Sequence, residues 1–109
     1  MKNKYKSYYY VPPHVVGYVK GELKDYKSNL ARFKALQDNT RELLIIKKRL
    51  NSIEKVLNNL DDIDRDTVEK IFFEQLKPRK CKEYGISQDV YYYTRKKVIY
   101  LIAYELELI

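Results

Sequence analysis

A chain of 109 residues, 45% hydrophobic and carrying a formal net charge of +7, has room for one domain or for a small domain with a helical arm, and is too apolar to be disordered throughout. Three glycines, three prolines and a single cysteine argue against a turn-rich β fold and exclude an internal disulfide or a cysteine-rich metal site. No apolar run approaches the roughly 18 residues of a membrane span, and the charged, aromatic N-terminus lacks the apolar segment of a signal peptide, so a cytoplasmic protein is expected.

The charge is zoned. Residues 1–60 carry a net +8, residues 61–76 a net −4 and residues 77–97 a net +5. Two basic zones around an acidic patch suit a polyanionic partner, because each phosphate neutralised by Lys or Arg releases a counterion. A solvated basic surface is the plainer alternative.

Residues 1–12, "MKNKYKSYYYVP", alternate cations with tyrosines and run into Pro12-Pro13. Neither helical nor strand periodicity holds there, which predicts an extended arm. It is either a frayed terminus or a nucleic-acid arm in which Lys2, Lys4 and Lys6 meet phosphates. From Pro13, a favourable first-turn residue, the pattern becomes helical. Val19, Leu23, Tyr26, Leu30 and Phe33 follow at spacings of 4, 3, 4 and 3. Asn39 and Glu42 have the spacing of a capping box for the next helix, unless one helix runs straight through.

Leu43, Ile46, Leu50, Ile53, Leu57 and Leu60 then form a strict heptad seam. It serves an antiparallel helical hairpin within 13–60 or a homodimerising coiled coil, and periodicity does not choose between them. At "NNLDDIDRD" the composition turns acidic, and a boundary is expected at 60/61. Asp64 or Asp66 suits the cap of the next helix, whose buried face is Val68, Ile71, Phe72 and Leu76. A short helix, "PRKCKEY", follows Pro78 and stops at Gly85. Ser87 caps the last helix, about 88–106, with Tyr91, Thr94, Val98, Leu101 or Ile102, and Glu105 along one line.

A short helix, a glycine turn and a capped second helix are the sequence form of a helix-turn-helix. The motif needs a small residue where the helices approach, and Cys81 stands four positions before the turn. It needs a residue tolerant of positive φ, which Gly85 is, and an apolar plug after the turn, which Ile86 supplies. The ring of Tyr84 is expected to be buried at the end of the first helix. The expected architecture is therefore all-α: an arm (1–12), a basic helical hairpin or coiled-coil segment (13–60), and a helix-turn-helix domain (61–109).

The stretch "LNNLDDIDRDTVEKIFFEQLKPRKCKEYGISQDVYYYTRKKVIYLIAYEL", about half the chain, resembles the C-terminal part of RinA-like and ArpU-like phage late-transcription activators. Those are similar in turn to region 4 of bacterial sigma factors. The shared pattern is an acidic helix start (Asp64 to Thr67), an aromatic pair (Phe72-Phe73), a short helix (Pro78 to Tyr84) and "GIS" (Gly85 to Ser87). A basic helix (Arg95 to Lys97) and a final "A-x-E-L" (Ala103 to Leu106) complete it. The resemblance implies double-stranded DNA binding at a promoter, contact with RNA polymerase, and a place in the cytoplasm of a bacterial host.

With Tyr91 on the core line, Gln88, Asp89, Tyr92, Tyr93 and Lys96 are expected on outer faces of the last helix. Gln88 suits adenine edges, Asp89 cytosine N4 and Tyr92 thymine methyls in a major groove about 12 Å wide. Arg95, Lys96 and Lys97, with Lys77, Arg79, Lys80 and Lys82 on the preceding helix, are the expected phosphate contacts. His14 reads as a surface or packing residue and Cys81 as a small core residue. Asp61, Asp62, Asp64 and Asp66 lack the spacing of a calcium loop. Neither a phosphate loop nor a paired nucleophile and base is visible, so no cofactor and no catalysis are expected. Two rival readings are an interaction module with a degenerate helix-turn-helix, and a DNA-packaging adaptor of the small-terminase type.

Overall fold

A computed structural model of the protein describes residues 9–35 and 41–109, the side chains of residues 35 and 41–43 excepted. The protein is all-α: the described residues are 80% helical, and no strand occurs among them. No helix among them is long and apolar enough to cross a membrane.

Helix α1, Pro13–Lys24, begins on its proline, and the free N–H groups of Val15 and Val16 donate to the Pro12 carbonyl at 3.0 Å. Val15, Val19 and Leu23 recur every four residues and are buried. The stripe does not run on in one helix as its spacing predicts. Asp25 interrupts it with φ −92° and ψ 0°, and α2, Tyr26–Ala35, starts afresh. The expected capping box lies outside the described residues at Asn39.

Helix α3, Arg41–Asn59, carries the heptad seam. Leu50, Ile53 and Val56 are buried within the single chain, Ile46, Leu57 and Leu60 are half-buried, and Leu44 and Ile45 are exposed. The middle of the seam is therefore covered by this chain's own helices. The side chain of Leu43 lies outside the described residues.

Helix α4, Asp62–Val68, is capped by Asp61, whose carboxylate accepts from the Asp64 N–H at 2.8 Å. The cap is thus Asp61 and not Asp64 or Asp66. Asp64 instead meets Lys97 at 3.2 Å, and Asp66 accepts a hydrogen bond from Lys70. A π-helical stretch, Glu69–Phe73, follows and closes with the Glu74 N–H donating five residues back to Glu69 at 2.9 Å. Val68, Ile71, Phe72 and Leu76 are buried, as their spacing predicts. A 3₁₀ helix, Pro78–Tyr84, leads through Gly85 to α5, Gln88–Glu105.

Helix α5 is the axis of the molecule and packs against α1, α3, α4 and the 3₁₀ helix. Its core line is the expected one: Tyr91, Thr94, Val98 and Ile102 are buried, and Ile99 and Ala103 widen the buried face. One cluster of buried side chains runs from Val11 to Ala103, so residues on both sides of the 60/61 boundary share it. The ion pairs Arg49–Glu22 at 3.4 Å, Lys55–Glu105 at 3.2 Å and Lys27–Glu69 at 3.3 Å lie at the surface and contribute little beside that burial.

Candidate nucleic-acid interface

The entrance to α5 is fixed by three local features. Gly85 takes φ +71°, the left-handed conformation that ends the 3₁₀ helix, and the Ile86 N–H donates back to the Cys81 carbonyl at 3.0 Å. Ser87 accepts from the Val90 N–H at 3.1 Å, as an N-cap should. Cys81 is 1% exposed and its thiol donates to the Lys77 carbonyl at 3.7 Å, a packing role. Ile86 packs half-buried against the core. Tyr84 departs from expectation. It is 53% exposed, because the short 3₁₀ helix turns its last side chain outward.

Successive residues of a helix are about 100° apart, so Tyr91 on the core fixes the rest. Gln88, Asp89, Tyr92, Arg95 and Lys96 fall within a single arc, about 40° to 160° round from Tyr91. Gln88, Asp89 and Tyr92 are exposed, and Arg95 and Lys96 half-exposed. Tyr93 and Lys97 lie beyond that arc and are engaged elsewhere. The Tyr93 ring meets Tyr9 edge-on, centroids 5.7 Å apart, and Lys97 binds Asp64 and lies 6.0 Å from the Tyr93 ring. The seven candidates of the last helix thus divide into five on an open face and two on a packed one.

The basic residues of the preceding segment divide too. Arg79 and Lys82 border the same shallow cleft as Gln88, whose amide donates to the Pro78 carbonyl at 3.5 Å. Lys77 is exposed just before the 3₁₀ helix, and Lys80 pairs with Glu83 at 3.5 Å. Lys20 of α1 lines a second cleft, with Tyr92 and Arg95, that shares Pro78 with the first. Lys20 was missed in the sequence. Its signal was there only indirectly, as the exposed neighbour of buried Val19 on a helix that must cross α5.

Cations of α1 and of the segment before α5 thereby line clefts shared with the open face of α5. Asp89 is its one negative group, and it occupies the first turn, where the positive end of the helix dipole favours a carboxylate. Beneath the face, Tyr91 is held by burial, which pushes its phenol above the usual tyrosine range, while nearby Arg95 pulls it partly back. Its hydroxyl donates to the Leu76 carbonyl at 3.2 Å and ties the floor of the site to the core. No group of three or more His, Cys, Asp or Glu arranged to hold a metal ion occurs among the described residues, and His14 is exposed. No protein-family model, curated protein or solved structure matches the chain.

Proposed function

We propose that the protein is a sequence-specific double-stranded DNA-binding protein that activates transcription in a phage or other mobile element. The 3₁₀ helix, the Gly85 turn and α5 act as its helix-turn-helix. The observation that carries this reading is the arc of Gln88, Asp89, Tyr92, Arg95 and Lys96 on the first turns of α5, with Arg79, Lys82 and Lys20 lining the clefts beside it. An exposed helix start with polar side chains, bordered by cations, has the form of a groove-docking element. Gln88, Asp89 and Tyr92 meet base edges, and the cations meet phosphates on both sides of the groove and fix the register. Tyr93 and Lys97 support the helix from behind. The resemblance of the C-terminal half to phage late activators adds recruitment of RNA polymerase by a surface away from the groove.

Fluorescence anisotropy with duplex DNA across a salt series tests the proposal. Five cations on phosphates give a log–log salt slope of about −4 to −5, and Lys96→Glu weakens binding to every sequence. Absence of binding at low salt, or binding indifferent to salt, would reject it in favour of a protein partner.

A further inference from the structure

The open arc of α5 borders a cleft of about 270 Å³ between that helix and the chain that leads into α1. One wall is a strip of α5: Tyr92, then Arg95 and Lys96, then Ile99, at the i, i+3, i+4 and i+7 spacing that puts side chains on one face of a helix. The facing wall is Tyr9 and Val11, with Val16 of α1. That wall is held in place by the fold itself. Val11 is 6% exposed in the core, and the Tyr9 ring stands edge-on to Tyr93 at 5.7 Å and to Tyr100 at 5.5 Å between centroids. Ile99, only 3% exposed, gives the cleft an apolar floor.

Two tyrosine rings and three aliphatic side chains give this lining its apolar surface, and its charge comes from Arg95 and Lys96, with no carboxylate among the lining residues. The next cation along the helix, Lys97, is neutralised by Asp64, whereas neither Arg95 nor Lys96 has an ion-pair partner among the described residues. An apolar cleft edged by two such cations is complementary to a flat apolar body carrying one anionic group. A guanidinium fork matches a carboxylate through two parallel hydrogen bonds, and an ammonium beside it adds a second positive charge. Tyrosine rings take aromatic partners edge-on or offset. The volume lies below the roughly 300–1,000 Å³ of sites for drug-sized ligands, which suits a body of one or two fused rings. We propose that this cleft binds a planar aromatic carboxylate, its rings between Tyr9 and Tyr92 over Val16 and Ile99 and its carboxylate on Arg95 and Lys96. Tyr92, Arg95 and Lys96 also belong to the arc offered to DNA, so a bound acid and a bound duplex exclude one another. The exclusion rests on the DNA-binding reading above, and the ligand class of the cleft does not.

The probe is 2-naphthoate, titrated calorimetrically, with 2-naphthamide as the neutral analogue of the same shape. Naphthoate binds wild type at one site with a Kd on the order of 0.1–1 mM, the range open to a ligand of this size, and the amide binds at least about 10-fold more weakly. Arg95→Ala weakens naphthoate about 10-fold. Val16→Phe fills the cleft from a position outside the DNA arc and abolishes naphthoate binding. In DNA anisotropy at constant ionic strength, naphthoate at about ten times its Kd raises the apparent Kd for duplex about 11-fold in wild type. The same addition leaves Val16→Phe, whose own DNA affinity matches wild type, unaffected. Absence of saturable naphthoate binding, equal binding of the amide, or undiminished binding to Val16→Phe would each overturn the cleft assignment. Naphthoate that binds without moving the DNA curve would overturn the exclusion. Failure of the wild type to bind any duplex would remove the DNA reading instead, and calorimetry would still decide the cleft. Melting temperatures identify a Val16→Phe protein that fails to fold, and in that case the amide comparison and Arg95→Ala decide.

Discussion

Lys96 and Lys97 are neighbours in sequence, yet they stand about 100° apart on α5 and the fold gives them different work. Lys97 lies 3.2 Å from the Asp64 carboxylate, with side chains only 26% and 21% exposed. An exposed ion pair contributes at most about 1 kcal/mol, whereas stripping one partner from a fully buried pair costs about 3–5 kcal/mol. This pair falls between those limits, nearer the surface. The Tyr93 ring 6.0 Å away adds a weak cation–π term of about 0.5 kcal/mol. Lys97→Ala is therefore expected to cost about 1.5 kcal/mol, or roughly 6 °C in melting temperature for a chain of this length. It should leave the salt slope of DNA binding unchanged. Lys96→Ala, on the cleft with Tyr9 and Tyr92, should change stability by less than about 0.5 kcal/mol and flatten the slope by about 0.9. Urea melts read the first quantity and anisotropy the second. Equal slope changes in the two variants, or equal losses of stability, would refute the division of α5 into an open and a packed face.

Gly85→Ala meets no heavy atom within 4 Å, so its cost comes from the +71° φ alone. Urea denaturation should show a loss of about 1 kcal/mol, partly recovered by Gly85→Asn, and a loss above about 3 kcal/mol would contradict the open space around the turn. Ile53→Ala should cost about 3–4 kcal/mol and Ile45→Ala less than about 0.5, since the first is 1% and the second 48% exposed. Similar losses at the two positions would contradict the burial of the seam within one chain. Burial raises the Tyr91 phenol above its unfolded value of about 10, so its contribution is intact below pH 10 and is lost as the pH climbs from there through the folded value. Tyr91→Phe should lose about 1 kcal/mol at neutral pH by orphaning the Leu76 carbonyl, and should show a shallower alkaline decline than wild type. Stability curves between pH 7 and 11 check both parts.

The elements of this fold were legible wherever one residue type had one thing to do. Val68, Ile71, Phe72 and Leu76, and the line Tyr91, Thr94, Val98 and Ile102, could be read as buried because periodicity alone sets a face. Gly85 and Ser87 were legible because a left-handed turn and an N-cap each demand a short list of side chains. Periodicity says that a face is covered and not by whom, so the heptad seam fitted a dimer as well as it fits the chain's own helices. Four aspartates in six residues all suit a helix start, and their division, with Asp61 as the cap, Asp66 on Lys70 and Asp64 on Lys97, comes from the contacts of the fold. The break at Asp25 has no glycine or proline to announce it. Lys20 and Tyr9 became part of the candidate interface through contacts some seventy or more residues along the chain, which no local pattern encodes.

Helix α5 uses its two ends differently. At about 27 Å long, it is a single rod whose far half is clamped among Val98, Ile102 and Ala103, each 0% exposed. The near half therefore keeps its direction before any partner arrives, and docking it in a groove demands almost no ordering of backbone. Side chains on its open arc can also be exchanged without disturbing the clamp, since the two sets of positions lie on successive turns along the helix. On the proposed DNA-binding reading, a change of target sequence is then accessible through Gln88, Asp89 and Tyr92 alone, with the rest of the helix inherited intact.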